Sequence, residues 1–198
     1  VLFPNFVKSI GLNKMKNTLR KTYKQLRSNL SPKQREIFSV KIYQNLISKF
    51  NLTNKNVSIF IPIEKFNEIN TWHFLNNIDA NFYLPVVKNK ALKHIKFENK
   101  NQLKLSDWGI LEPTYGQETL PSNFDIVIVP LLAYDTKGNR VGYGAGFYDG
   151  FLKDCQPNCK FIGVSFFDTE QKSIDTYPND IPLHYCVTPK KVIQFKEK

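Results

Sequence analysis

Two rhythms of hydrophobic positions divide the chain. Leu19, Tyr23, Leu26 and Leu30 recur at helical spacing. Ser31-Pro32-Lys33-Gln34 then supplies a cap, a proline at the first helical position and a capping-box glutamine. The next helix places Tyr43, Leu46, Ile47 and Phe50 on one side. Residues 57–61 form a short apolar run closed by Pro62, which predicts a buried strand. Thr71 is placed to cap a short helix carrying Trp72, Phe74 and Leu75, and 81–87 reads as another strand. From 88 to 106 the chain is polar and poorly periodic, which suggests short strands and loops. The clearest strand is 125–129, followed by a glycine-rich loop, a helix over 147–153 and a strand over 161–167. Strands alternating with helices predict an α/β fold. The expected form is three layers, α/β/α, with a central mostly parallel sheet and an N-terminal helical pair packed on it.

Residues 1–14 lack that periodicity, and the only methionine is Met15. They are expected to be a flexible N-terminal extension to a single domain over 15–198. No apolar run reaches the roughly 18 residues of a membrane span. Three cysteines form no closed disulfide framework, which points to a reducing compartment, the cytoplasm.

The net charge of +11 favours an anionic partner, although lysine and asparagine are both abundant and A-rich codons account for part of that excess. Arginine, by contrast, is confined to Arg20, Arg27, Arg35 and Arg140. Where arginine persists against such a bias, its forked donor geometry is the reason to look for.

Arg140 opens the most informative segment, Asn139-Arg140-Val141-Gly142-Tyr143-Gly144-Ala145-Gly146-Phe147-Tyr148-Asp149. Three alternating glycines let backbone amides approach an anion, and the helix that follows aims its positive end at the same place. Arg140 adds a bidentate phosphate donor, and Asp149 is positioned to hold Mg²⁺. The segment follows the carboxyl end of a buried strand, where α/β folds place ligands. No Gly-Lys-Ser/Thr follows, so it is not a P-loop. Phe147 stands where the dinucleotide fingerprint needs its third glycine. Spacing alone is equally compatible with a tight strand-to-helix turn.

The segment also resembles the signature of the 5-formyltetrahydrofolate cyclo-ligase (methenyltetrahydrofolate synthetase) family, and further motifs follow the family's order. Lys16 and Arg20 resemble its phosphate-reaching pair. Residues 59–71, with Ile63 and Glu68-Ile69-Asn70-Thr71, resemble the strand and acidic stretch beside the pterin. Trp108-Gly109-Ile110 with Glu112-Pro113 is similar to its folate-side segment, and Asn179-Asp180-Ile181-Pro182-Leu183 to its closing motif. The similarity runs from about residue 15 to 192. Ala145 and Gly150 depart from residues that are often basic in the family.

The resemblance implies an ATP- and Mg²⁺-dependent enzyme that cyclises 5-formyltetrahydrofolate to 5,10-methenyltetrahydrofolate and releases ADP and phosphate. It implies nucleotide contacts from Lys16, Arg20 and Arg140, and from the loop Gly142, Tyr143, Gly144, Ala145, Gly146 and Phe147 with Tyr148 and Asp149. Folate contacts are implied for Ile63, Glu68, Trp108, Tyr148 and Asp180, a catalytic part for Arg140, Lys16 and Tyr148, and a metal at Asp149. A monomer acting on a folate, free or polyglutamylated, needs neither nucleic acid nor membrane. On this view Arg140→Ala weakens nucleotide binding and leaves the fold intact.

The competing reading is a basic RNA-binding module, since Arg140-Val141-Gly142-Tyr143-Gly144-Ala145-Gly146-Phe147 echoes an RNA-recognition strand. A structural role is a third. Cys155 and Cys159 lack a second ligand pair for zinc. His73, His94 and His184 pair with no local nucleophile.

Overall fold

A computed structural model describes residues 3–106 and 109–196. Helix α1 (Phe3–Ser28) runs through the Met15 boundary and is followed by α2 (Pro32–Lys49). The capping box is present: Gln34 N donates to Ser31 Oγ at 3.2 Å, and Ser31 N to Gln34 Oε1 at 2.9 Å. Next come β1 (Asn56–Ser58), α3 (Trp72–Asn77), β2 (Asn81–Lys88) and β3 (Ala91–Lys96). A small hairpin joins β4 (Leu103–Leu105) to β5 (Leu111–Pro113), and β6 (Glu118–Thr119) follows. The chain then forms β7 (Ile126–Pro130), β8 (Ala133–Tyr134), β9 (Arg140–Val141) and α4 (Phe147–Lys153). It ends with β10 (Lys160–Val164), β11 (Tyr185–Val187) and β12 (Val192–Gln194).

Eight strands form the main sheet in the order β12-β11-β10-β7-β1-β2-β3-β6. The five from β11 to β2 run parallel, and antiparallel strands close both edges. The period of two along β7 shows how the layers form. Ile126 and Ile128 join a core with Ile42 and Leu46 of α2 and Phe74 of α3. Val127 and Val129 join a second core with Phe151 and Leu152 of α4. The fold is therefore the expected three-layer α/β/α, with a mostly parallel sheet.

The helical pair divides its work. Helix α2 contacts β11 and β12, whereas α1 contacts the β8–β9 hairpin and the turn at Glu64–Phe66. Tyr23 of α1 packs with Leu132, Ala133 and Val141 in a third, smaller core. Thr71 does not cap α3 by its side chain; its Oγ1 donates to the Phe60 carbonyl at 2.6 Å, tying the loop after β1 to that helix.

Gly163 of β10 faces the α4 layer. A Cβ there would lie 2.5 Å from Leu131 Cδ2 and 2.6 Å from Leu183 Cδ1. Gly163→Ala is expected to cost about 1–3 kcal/mol by overpacking, read as a lower urea midpoint with an unchanged slope. An unchanged midpoint would show that Leu131 and Leu183 can yield.

Candidate active site

One face of α1 carries Lys16, Arg20, Tyr23 and Arg27, at steps of three and four residues. Lys16, Tyr23 and Arg27 are buried, although two of them are cationic. This face lies against the glycine-rich loop and its neighbours.

The loop is held from several directions. Asp135 is fully buried where the β8–β9 hairpin turns. Its Oδ1 accepts from Lys137 N at 2.8 Å and Asn139 N at 3.0 Å; its Oδ2 accepts from Asn139 Nδ2 and Ile174 N, both at 2.8 Å. Residues 142–146 then cross to α4. Arg20 Nε donates to the Gly142 carbonyl at 3.0 Å, and its Nη1 to Asn17 Oδ1 at 2.6 Å. Gly144 has φ +111°, and a Cβ there would stand 3.2 Å from Arg20 Cζ, so glycine serves both the left-handed backbone and the close guanidinium. Around Gly142 and Gly146 the same test finds open space. The loop thus leaves room for a ligand beside Gly142 and Gly146, and the exposed backbone of such a glycine loop suits a polyphosphate.

Lys16 Nζ meets Asp180 Oδ2 at 2.5 Å and lies 4.6 Å from the Tyr177 ring centroid. Asp180 Oδ2 also accepts from Tyr177 N at 2.8 Å. The closing motif is thereby tied to α1. Arg140 Nη2 donates to Asp149 Oδ1 at 2.8 Å, and Nη1 donates to the Ile181 carbonyl. Ile181 N returns a bond to Asp149 Oδ1 at 3.1 Å. Asp149 is therefore engaged as the partner of Arg140. Among the described residues no three His, Cys, Asp or Glu side chains gather to hold a metal ion. A magnesium ion here would have the single Asp149 carboxylate and the phosphates of a bound nucleotide as its ligands.

Glu68 sits behind the loop with its side chain 3% exposed. Ile63 N donates to its Oε2 at 2.8 Å, so Ile63 contributes a backbone amide. The Tyr143 hydroxyl donates to Oε1 and accepts from Arg27 Nη1 at 2.8 Å. Burial pushes the Glu68 carboxyl above its ordinary range, and Arg27, whose Nη1 lies 3.9 Å from Oε1, pulls it partway back. Phe66 stacks on Tyr143 with ring centroids 5.0 Å apart. The Tyr148 hydroxyl is buried without a hydrogen-bond partner among the described residues, within the fields of Glu68 and Arg140. Burial and the Glu68 charge both push its ionisation up, so the hydroxyl keeps its proton at neutral pH.

The structure thus gathers Lys16, Arg20, Ile63, Glu68, Arg140, Gly142, Tyr143, Gly144, Tyr148, Asp149 and Asp180. Ala145, Gly146 and Phe147 also line a cleft of about 390 Å³ together with Lys93, His94 and Leu120. Trp108 lies outside the described residues. Its neighbour Gly109, at φ +70°, approaches Lys65 of the Glu64–Phe66 turn. Arg27 was not expected in the site. The available signal was its place on the Lys16–Arg20 face and its survival as one of few arginines.

His94 has no comparable role. Its Nε2 is 2.8 Å from Ser58 Oγ, its ring packs on Phe151, and burial pulls it down to about 3. The echo of an RNA-recognition strand also fails on geometry. Arg140–Val141 is strand, and from Gly142 to Gly146 the segment runs on as a loop rather than as the continuous strand that such recognition uses.

A model of the 5-formyltetrahydrofolate cyclo-ligase family matches residues 12–189. A 5-formyltetrahydrofolate cyclo-ligase of Haemophilus influenzae is 30% identical over 177 residues, which are 83% of this chain and 92% of that protein. A mitochondrial one of Arabidopsis thaliana is 27% identical, over 90% and 74% of the two chains. Among solved structures, the 5,10-methenyltetrahydrofolate synthetase of Aquifex aeolicus superposes with a TM-score of 0.79 at 29% identity, covering 93% of this chain and 94% of the other. By sequence motif, fold and this match across most of its length, the chain belongs to the 5-formyltetrahydrofolate cyclo-ligase family.

Proposed function

We propose that residues 15–198 catalyse the ATP-dependent closure of 5-formyltetrahydrofolate to 5,10-methenyltetrahydrofolate. The observation that carries this reading is the junction of an open glycine loop, three cations and a buried carboxylate behind it. Ring closure requires nitrogen 10 to attack the formyl carbon and expel an amide oxygen, a poor leaving group. ATP, when bound, supplies the phosphoryl group that makes that oxygen leave. The chain's own residues then position and neutralise. Lys16, Arg20 and Arg140 face the phosphates together with the loop amides. Glu68 accepts from N–H groups of the pterin, and the Tyr148 hydroxyl donates a hydrogen bond to the phosphorylated oxygen as its bond to carbon breaks. Asp149 orients Arg140.

Lys24 Nζ and Lys65 Nζ lie 5.4 and 5.3 Å from the Phe66 ring, a cationic border suited to the carboxylates of a glutamate tail. A monomer is the proposed working form. Three free thiols suit a reducing compartment such as the cytoplasm. Among the described residues no helix is long and apolar enough to cross a membrane.

The test is to mix protein, 5-formyltetrahydrofolate, ATP and Mg²⁺ and follow the near-ultraviolet absorbance of the methenyl product. An ATP-dependent rise is expected; a folded protein that binds ATP and gives no rise would mean another substrate. Because ionised Glu68 is the acceptor and its carboxyl is raised by burial, kcat/KM for the folate is expected to fall as pH drops through a limb above the usual carboxylate range. Glu68→Gln is expected to raise the folate KM about tenfold and abolish that limb. A limb that persists in the variant would belong to another group.

A further inference from the structure

Arg27 enters the site from the last turn of α1, where the glycine motif asks for no cation. Its side chain is 4% exposed and that of Glu68 is 3%. Two buried charges are costly to desolvate, so their joint presence calls for a reason beyond surface pairing. Arg27 directs its donors to two segments. Nη2 donates to the Leu131 carbonyl just after β7 at 2.5 Å, which fixes the guanidinium to the sheet. Nη1 donates to the Tyr143 hydroxyl at 2.8 Å. A guanidinium only donates, so the tyrosine proton is left to point at Glu68 Oε1. The other carboxylate oxygen is held by Ile63 N. The groups facing Glu68 are then Arg27 from α1, Tyr143 from the glycine loop, the Tyr148 hydroxyl from α4 and the amide of its own loop.

We propose that Arg27 is a positioning residue for the cyclisation: it sets its charge against Glu68 and, through Tyr143, locks that carboxylate to the glycine loop. The inference rests on reading Glu68 as the acceptor for the folate ring. It makes the loop that faces the nucleotide and the carboxylate that faces the folate one hydrogen-bonded unit. Without Arg27, Glu68 keeps only neutral donors in a buried setting and takes up a proton at higher pH.

The experiment compares Arg27→Met, Arg27→Lys, Tyr143→Phe and Glu68→Gln with the wild type. For Arg27→Met the folate KM is expected to rise about tenfold and the ATP KM to change less than about twofold, with the acid limb moved up by about one pH unit. Arg27→Lys keeps the charge and is expected to restore the limb and part of the KM. Tyr143→Phe keeps both charges and loses the relay, so the folate KM is expected to rise several-fold. The carboxyl carbon signal of Glu68, assigned by its loss in Glu68→Gln, gives a readout without turnover and is expected to titrate higher in Arg27→Met.

A folded Arg27→Met with an unchanged limb and an unchanged Glu68 titration overturns the proposal. If that variant does not fold, Tyr143→Phe decides: an unchanged folate KM and limb overturns it. If Glu68→Gln leaves the folate KM unchanged, the reading of Glu68 falls instead, and the carboxyl titration still tests whether Arg27 holds its charge.

Discussion

Arg140→Ala is expected to lower kcat/KM by about 10²–10³-fold and to destabilise the fold by about 2 kcal/mol. Both effects follow from where the guanidinium ends. The side chain is 6% exposed, bonded to Asp149 in the first turn of α4 and to the Ile181 carbonyl. Removing it leaves Asp149, about a quarter exposed, without its charge partner, which keeps the penalty below that of a fully buried pair. It also frees the segment that carries Asp180, and with it the partner of Lys16. The sequence suggests a loss of nucleotide binding alone; the bonds to Ile181 and Asp149 add a structural cost. Arg140→Lys keeps the charge but not the fork, and is expected to recover part of the stability and little of the turnover. Urea unfolding and the ATP dependence of the rate, measured on both variants, separate the two effects. A folded Arg140→Ala with unchanged ATP KM and turnover would remove Arg140 from the site.

The features legible in the sequence are those set by local pattern. Strand β7 shows itself because 126–129 is apolar at every position, as burial on both faces requires. Helix α2 announces its start through Ser31 and Gln34. The glycine loop is legible because its backbone geometry needs glycine at Gly144 and Gly146, both with positive φ.

What escapes the sequence depends on partners distant along the chain. The β2–β3 hairpin turns at Asn89 and Lys90, both at positive φ, and lysine gives no hint of a left-handed position. His94 follows Lys93 on a strand that carries two lysines, yet is buried by Ser58, Phe124 and Phe151. Asp149 illustrates a limit of another kind: one turn into a helix, a carboxylate that orients an arginine and one that binds a cation have the same sequence. Arg27 is visible as a rare arginine on the correct face, but Glu68 and Tyr143 reach it only once two separate loops have folded.

Tyr148→Phe is expected to lower kcat/KM for the folate by about 10²-fold while leaving stability unchanged or raising it by about 1 kcal/mol, a few degrees in Tm. Most single substitutions of a buried side chain cost stability, so this opposite pairing identifies a group kept for its ligand. The ring packs beside the α4 core with Phe151 and Leu152, and phenylalanine preserves that contact. The hydroxyl is buried without a partner among the described residues, so its desolvation is not recovered in the protein alone. Burial and the nearby Glu68 charge keep it protonated, which makes it a donor rather than a base at neutral pH. Held in the fields of Glu68 and Arg140, this donor meets the phosphorylated formyl oxygen as its bond to carbon breaks, once the bound folate has opened the way to it. The checks are thermal unfolding without ligands and initial rates across folate concentration. A variant that melts earlier and turns over normally would make Tyr148 a packing residue. One that melts no earlier, with kcat rather than KM reduced, would place its proton in the transition state.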